Sequence, residues 1–120
     1  MNAGAIAVLF EVWPAPGRKD DYLERARALA ADLAGIDGFI SVERFQSLVD
    51  PDKLLSLSFW RDETAVTAWR TLEAHRAAQS AGRGGTFRDY RLRVAAVLRD
   101  YTLQDQRAEA PADSREHHGS

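Results

Sequence analysis

Trp69 and His75 stand six positions apart in the segment FWRDETAVTAWRTLEAHRAAQ, which runs from Phe59 to Gln79 and holds most of the chemical capacity of this 120-residue chain. An indole offers a flat wall for a ring and a single N–H donor. An imidazole with its ordinary pKa of about 6.5 is mostly neutral at neutral pH and can accept a proton there, which makes His75 a candidate general base. Projected at roughly 100° per residue, Ala65, Ala68, Trp69, Leu72, Arg76 and Gln79 fall on one helical stripe with His75 at its border. Leu72 extends the wall, and Arg76 and Gln79 are out of place in a dry core. The pattern therefore predicts either a last turn that borders a polar cavity or a break near Thr71 to Glu73, and a bend leading to a second short helix is the expectation. Plainer readings stand beside these. The middle of an apolar stripe is also where core packing puts a tryptophan, and a stripe border is where a surface histidine sits.

Such a helix needs a sheet to lie on, and the rest of the chain supplies its strands. Ala5 to Trp13 (AIAVLFEVW) is rich in branched and aromatic residues and stops at Pro14-Ala15-Pro16-Gly17. From Lys19, the residues Tyr22, Ala26, Leu29 and Leu33 recur at helical spacing, and Gly35 is the expected left-handed residue after the helix. Gly38 opens Phe39 to Ser47, with Ile40 and Val42 assigned to one face and Phe39 and Phe45 to the other. Asp50-Pro51-Asp52 turns the chain into Lys53 to Trp60, where Leu55, Leu57 and Phe59 alternate with Ser56, Ser58 and Trp60. Asp62 and Glu63 suit the positive end of the Trp69 helix, which should run from about Glu63 toward Gln79. Phe87 to Leu103 reads as a long last strand with a bulge at Ala95-Ala96.

Strand, helix, strand, strand, helix, strand with short connections is the order of a ferredoxin-like α+β domain: an antiparallel four-stranded sheet with both helices on one face. Its second face would carry apolar and aromatic side chains, so a second copy of the chain is expected to cover it, giving a dimeric α+β barrel. The domain is assigned to residues 1–104. Residues 105–120 are polar and charged, and read as a disordered tail.

The 16 basic and 18 acidic side chains leave a net charge of −2 with no basic cluster, so neither nucleic acid nor an anionic membrane is an expected partner. The chain has no cysteine, which removes disulfides, thiolate metal sites and a cysteine nucleophile, and a cytoplasmic location is the expectation. The longest apolar run, Ala5 to Phe10, is too short to span a bilayer. No GxSxG, P-loop, HExxH or dinucleotide fingerprint occurs.

In order and spacing, the Pro/Gly turn after the first strand, Gly38-Phe39, Ser58-Phe59-Trp60 before Asp62-Glu63, and Trp69 followed by His75-Arg76 and Gln79 resemble the antibiotic biosynthesis monooxygenase family, over roughly Ala5 to Tyr101. The resemblance implies the dimeric barrel fold and a cofactor-independent, metal-free oxidation of a phenolic or quinol aromatic small molecule by O2. Trp69 matches the family's pocket-lining tryptophan. The quinone-forming branch has a Tyr where His75 stands and an Asn where Ala65 stands. The haem-degrading branch has its iron-ligating His ten positions after the Trp, where this chain has Gln79, and an Asn on the first strand, whereas the only Asn here is Asn2. The expected site is thus His75 as the base, with Trp69, Leu72, Arg76 and Gln79 around the substrate, and with Arg76, Arg88 or Arg91 available to an anion. A non-catalytic module binding a hydrophobic aromatic metabolite is the alternative, and haem degradation a weaker third.

Overall fold

The computed structural model describes residues 4–79 and 87–104, with side chains in the second helix described as far as Leu72. Its elements are β1 (Ile6–Pro14), α1 (Lys19–Leu33), β2 (Phe39–Gln46), β3 (Leu54–Trp60), α2 (Glu63–Gln79) and β4 (Phe87–Ala96). The strands form one four-stranded antiparallel sheet in the order β2-β3-β1-β4. This is the expected ferredoxin-like α+β arrangement. Residues 105–120, assigned to a tail, lie outside the described residues.

Both helices pack on one side of the sheet. Ile6 and Val8 of β1 and Trp60 of β3 join Leu33 of α1 and Ala65 and Val66 of α2 in one cluster, while Val12 and Leu54 meet Tyr22 and Ala26 of α1 in another. Val8, Val12 and Trp60 are sealed from water, and each buried side chain of this size contributes roughly 1.5–3 kcal/mol through apolar area removed from water. Trp60 keeps its one polar atom satisfied by donating its indole N–H to Ser58 Oγ at 2.9 Å. The serine face of β3 is therefore the core face, and Leu55, Leu57 and Phe59 point to the side that no helix covers.

Five local expectations are corrected. Gly35 is not left-handed. Helix α1 passes through a right-handed Ala34 into tight bonds from Gly35 N–H to the Asp32 carbonyl and from Ile36 N–H to the Leu33 carbonyl, and the positive φ falls on Gly38 at 93°. Phe39 does not share a face with Phe45: an irregularity between Phe39 and Ser41 brings Phe39 and Val42 together on the core side. Helix α2 has no break at Thr71 to Glu73. Thr67 and Thr71 turn their hydroxyls back to the carbonyls four residues earlier, at 3.1 Å each, and remain helical. The bulge in β4 sits at Arg88, not at Ala95-Ala96, which pair regularly with Ala7 and Ile6. Its cause is Pro14, which has no N–H to give the ladder. The strand itself ends at Ala96, after which Val97 N–H donates to the Ala5 carbonyl.

Candidate functional site

Trp69 lies half-buried on the core cluster, its ring centroid 6.2 Å from that of Trp60. Its packing is that of a core residue, yet its indole N–H has no hydrogen-bond partner among the described residues. Leu72, three residues on, is also half-buried. Helix α2 carries His75, Arg76 and Gln79, whose side chains lie outside the described residues. The helical backbone fixes their angular positions: Arg76 lies within about 20° of Trp69, Gln79 about 80° and His75 about 120° away, with Leu72 between.

The sheet beneath is closed on one half and open on the other. Along β1 the helix-side residues Val8 and Val12 are fully buried, whereas their neighbours on β4 are exposed, Val94 at 47%, Leu92 at 37% and Tyr90 at 59%. The helix face of β4 is thus an apolar strip that the described residues leave open to solvent. Val94 stands opposite Val8, which belongs to the cluster that Trp69 touches, and Tyr90 stands opposite Val12, so the strip between these levels is about 13 Å long. Four rings gather at its far end. Phe10 lies 5.9 Å from Phe87 and 5.6 Å from Tyr90, and Phe87 lies 5.6 Å from Tyr22 of α1. The bulge at Arg88 makes this possible, because without the extra residue Phe87 would point to the other face of the sheet. These rings were missed in the sequence, where Phe87 and Tyr90 sit three apart, a spacing that in a regular strand separates faces.

The remaining charged candidates belong elsewhere. Arg91 is registered opposite Glu11, and Arg88 borders a depression with Trp13 and Asp89, so neither accompanies Trp69. Glu11 on the helix-free face is paired with Lys53 and Arg93. The Lys53 hydrogen bond, with the positive charges of Lys53 and Arg93, holds its carboxyl below the ordinary value. Around it, a hollow of about 260 Å³ is lined by Leu9, Phe45, Gln46, Ser47, Lys53 and Leu55 as well as Glu11 itself. Arg61-Asp62-Glu63 is a helix entry, as expected: Asp62 Oδ1 accepts from Ala65 N–H at 3.0 Å, and Arg61 forks onto both oxygens of Asp37 at 3.2 and 3.1 Å. No three His, Cys, Asp or Glu side chains gather into a metal-holding group among the described residues, and no described helix is long and apolar enough to cross a membrane.

Residues 5–81 match the family model described as antibiotic biosynthesis monooxygenase. The chain is 44% identical over 110 residues to the jasmonate monooxygenase ABM of Pyricularia oryzae, a match covering 92% of this chain and 51% of that protein, so it spans about half the length of that relative. It is 33% identical over 82 residues to the uncharacterized protein YqjZ of Bacillus subtilis, 68% of each. The structure of Rv0793 from Mycobacterium tuberculosis superposes with a TM-score of 0.68 at 19% identity, covering 82% of this chain and 99% of that one, a likeness of fold.

Proposed function

The chain belongs to the antibiotic biosynthesis monooxygenase family, and from that premise we propose that it is a cofactor-independent monooxygenase for a hydrophobic, oxygen-bearing small molecule seated between α2 and β4. One observation carries the reading: the apolar strip along Tyr90, Leu92 and Val94 lies open to solvent on the sheet face that Trp69 packs against, and the N–H of that tryptophan is uncommitted among the described residues. A phenolic or quinol ring suits a site with a histidine base and an indole wall. His75 takes the phenol proton, the anion gives an electron to O2, and the two radicals join at a ring carbon. Loss of water from the resulting hydroperoxide leaves the quinone, so the ring keeps one oxygen atom of O2 and the other departs as water. Jasmonate, in the name of the Pyricularia oryzae relative, is the second substrate class to be tried. Gln79, where an iron-ligating histidine would be needed, weighs against haem degradation. A second copy of the chain is proposed to cover the helix-free face of the sheet.

Oxygen uptake tests this directly. With a polyphenol or jasmonate as substrate, the wild-type chain should consume O2 and His75→Ala should lose about two orders of magnitude or more, the usual contribution of a positioned base. Unchanged turnover in His75→Ala would remove His75 from the mechanism. Ligand binding with no O2 consumed on any substrate would leave a binding module instead.

A further inference from the structure

The four rings at the far end of the β4 strip form a seat of their own, and we propose that Phe10, Tyr22, Phe87 and Tyr90 bind an uncharged, oxygen-bearing ring of the ligand, with the Tyr90 hydroxyl donating a hydrogen bond to that oxygen. The inference rests on the small-molecule oxygenase reading above and specifies the chemistry of one end of its substrate. Three observations carry it. Phe10, Phe87 and Tyr90 pack edge-on or tilted on one another at centroid distances of 5.6 to 6.4 Å, so together they form one continuous aromatic surface on which a further ring can rest. Tyr22, buried at 6% exposure, backs Phe87, whereas Tyr90 is 59% exposed and its hydroxyl has no partner among the described residues. The seat is also uncharged. Asp89, Arg91 and Arg93 of β4 pair in register with Trp13, Glu11 and Leu9 on the opposite face, and the bulged Arg88 borders the depression of Trp13 and Asp89, where its charge acts on Asp50. The cations at the start of α1 are already committed, Arg18 to Asp21 and Lys19 to Gln46. A carboxylate placed among these rings would lose its hydration while Arg18, Lys19 and Arg88 are engaged with other groups, whereas a phenol, alcohol or ketone oxygen needs only the one donor.

The experiment is a calorimetric titration of the full chain with 2-naphthol and with 2-naphthoate at neutral pH, repeated on Tyr90→Phe and Tyr90→Ala. Wild type should prefer 2-naphthol by tenfold or more. Tyr90→Phe should weaken 2-naphthol about two- to tenfold, as loss of one neutral hydrogen bond does, and Tyr90→Ala further, with far-UV circular dichroism unchanged because the residue is mostly exposed. Equal affinity in all three chains, tighter binding of 2-naphthoate, or no binding of 2-naphthol at all would overturn the proposal. Oxygen uptake on the same samples separates the two claims. Uptake with a polyphenol alongside 2-naphthol affinity indifferent to Tyr90 sinks the seat and leaves the oxygenase. Affinity that depends on Tyr90 without any uptake does the reverse.

Discussion

Trp69 answers to two demands that substitutions can pull apart. Its ring packs on Trp60 and the core, so Trp69→Ala should destabilise the fold by about 2 kcal/mol, below the range for a fully buried tryptophan because this one is only half-buried. Trp69→Phe keeps most of that packing and removes only the N–H. Its melting temperature should stay near wild type while affinity for an oxygen-bearing ligand falls, and thermal melts with parallel titrations read both. A Phe variant that binds as wild type would make Trp69 a packing residue alone. Gly38 is a simpler case. It has φ of 93°, and a Cβ there would lie 2.8 Å from the Ala65 Cβ, so Gly38→Ala meets backbone strain and a fixed neighbour at once. A loss of about 1–3 kcal/mol in chemical denaturation is expected. That glycine's place before β2 was readable from sequence, but its reason was not, because the close approach comes from a helix that starts more than twenty residues later.

The elements were legible wherever one period ran without interference. Tyr22, Ala26 and Leu33 announce α1 and are its buried residues. Asp62 announces α2 and caps it, with Arg61 and the Ala65 N–H both holding its carboxyl below the ordinary value, the N–H most strongly. Asp62→Ala should therefore lower the melting temperature, and Asp62→Asn, which still accepts from the Ala65 N–H, should recover most of it; no difference between the two would mean the cap contributes little. What sequence hid was phase. The alternation of Leu55, Leu57 and Phe59 with Ser56, Ser58 and Trp60 declares two faces without saying which is inside; the core took the face of Leu54 and Trp60, and Ser58 on that face satisfies the Trp60 N–H. In β4 the visible Ala95-Ala96 pair suggested a bulge, yet the irregularity follows from Pro14 on the neighbouring strand, a residue read only as a strand end. That displaced bulge sets the ring seat, so the part of the candidate site on β4 was illegible for the same reason.

At the scale of the whole molecule, the helix-free face has a consistent composition. Leu9, Leu55, Leu57 and Phe59 give it an apolar middle, half-exposed in the single chain, and Glu11 with Lys53 and Arg93 sets an ion cluster beside them. Apolar residues at this density on two central strands favour a second sheet over water. A twofold arrangement would place the same residues against one another. Leu57→Asp should then shift the molecule to a monomer in analytical ultracentrifugation at a concentration where wild type sediments as a dimer, whereas a wild type that is monomeric across that range would remove the barrel. Acid offers a second handle with a fixed sign. The Glu11 carboxyl titrates below its ordinary value of 4.5 in the folded chain, so its pairing adds stability that is fully present above that value and is lost as the pH falls below it. Melting temperature plotted against pH should fall on the acid side of about 4.5, and Glu11→Gln, which has no charge to lose, should flatten that slope while starting from a lower plateau at neutral pH. If the cluster also lies inside the dimer, the acid step will coincide with dissociation and will grow with dilution; a step independent of concentration would confine Glu11 to holding β1, β4 and the start of β3 together within one chain.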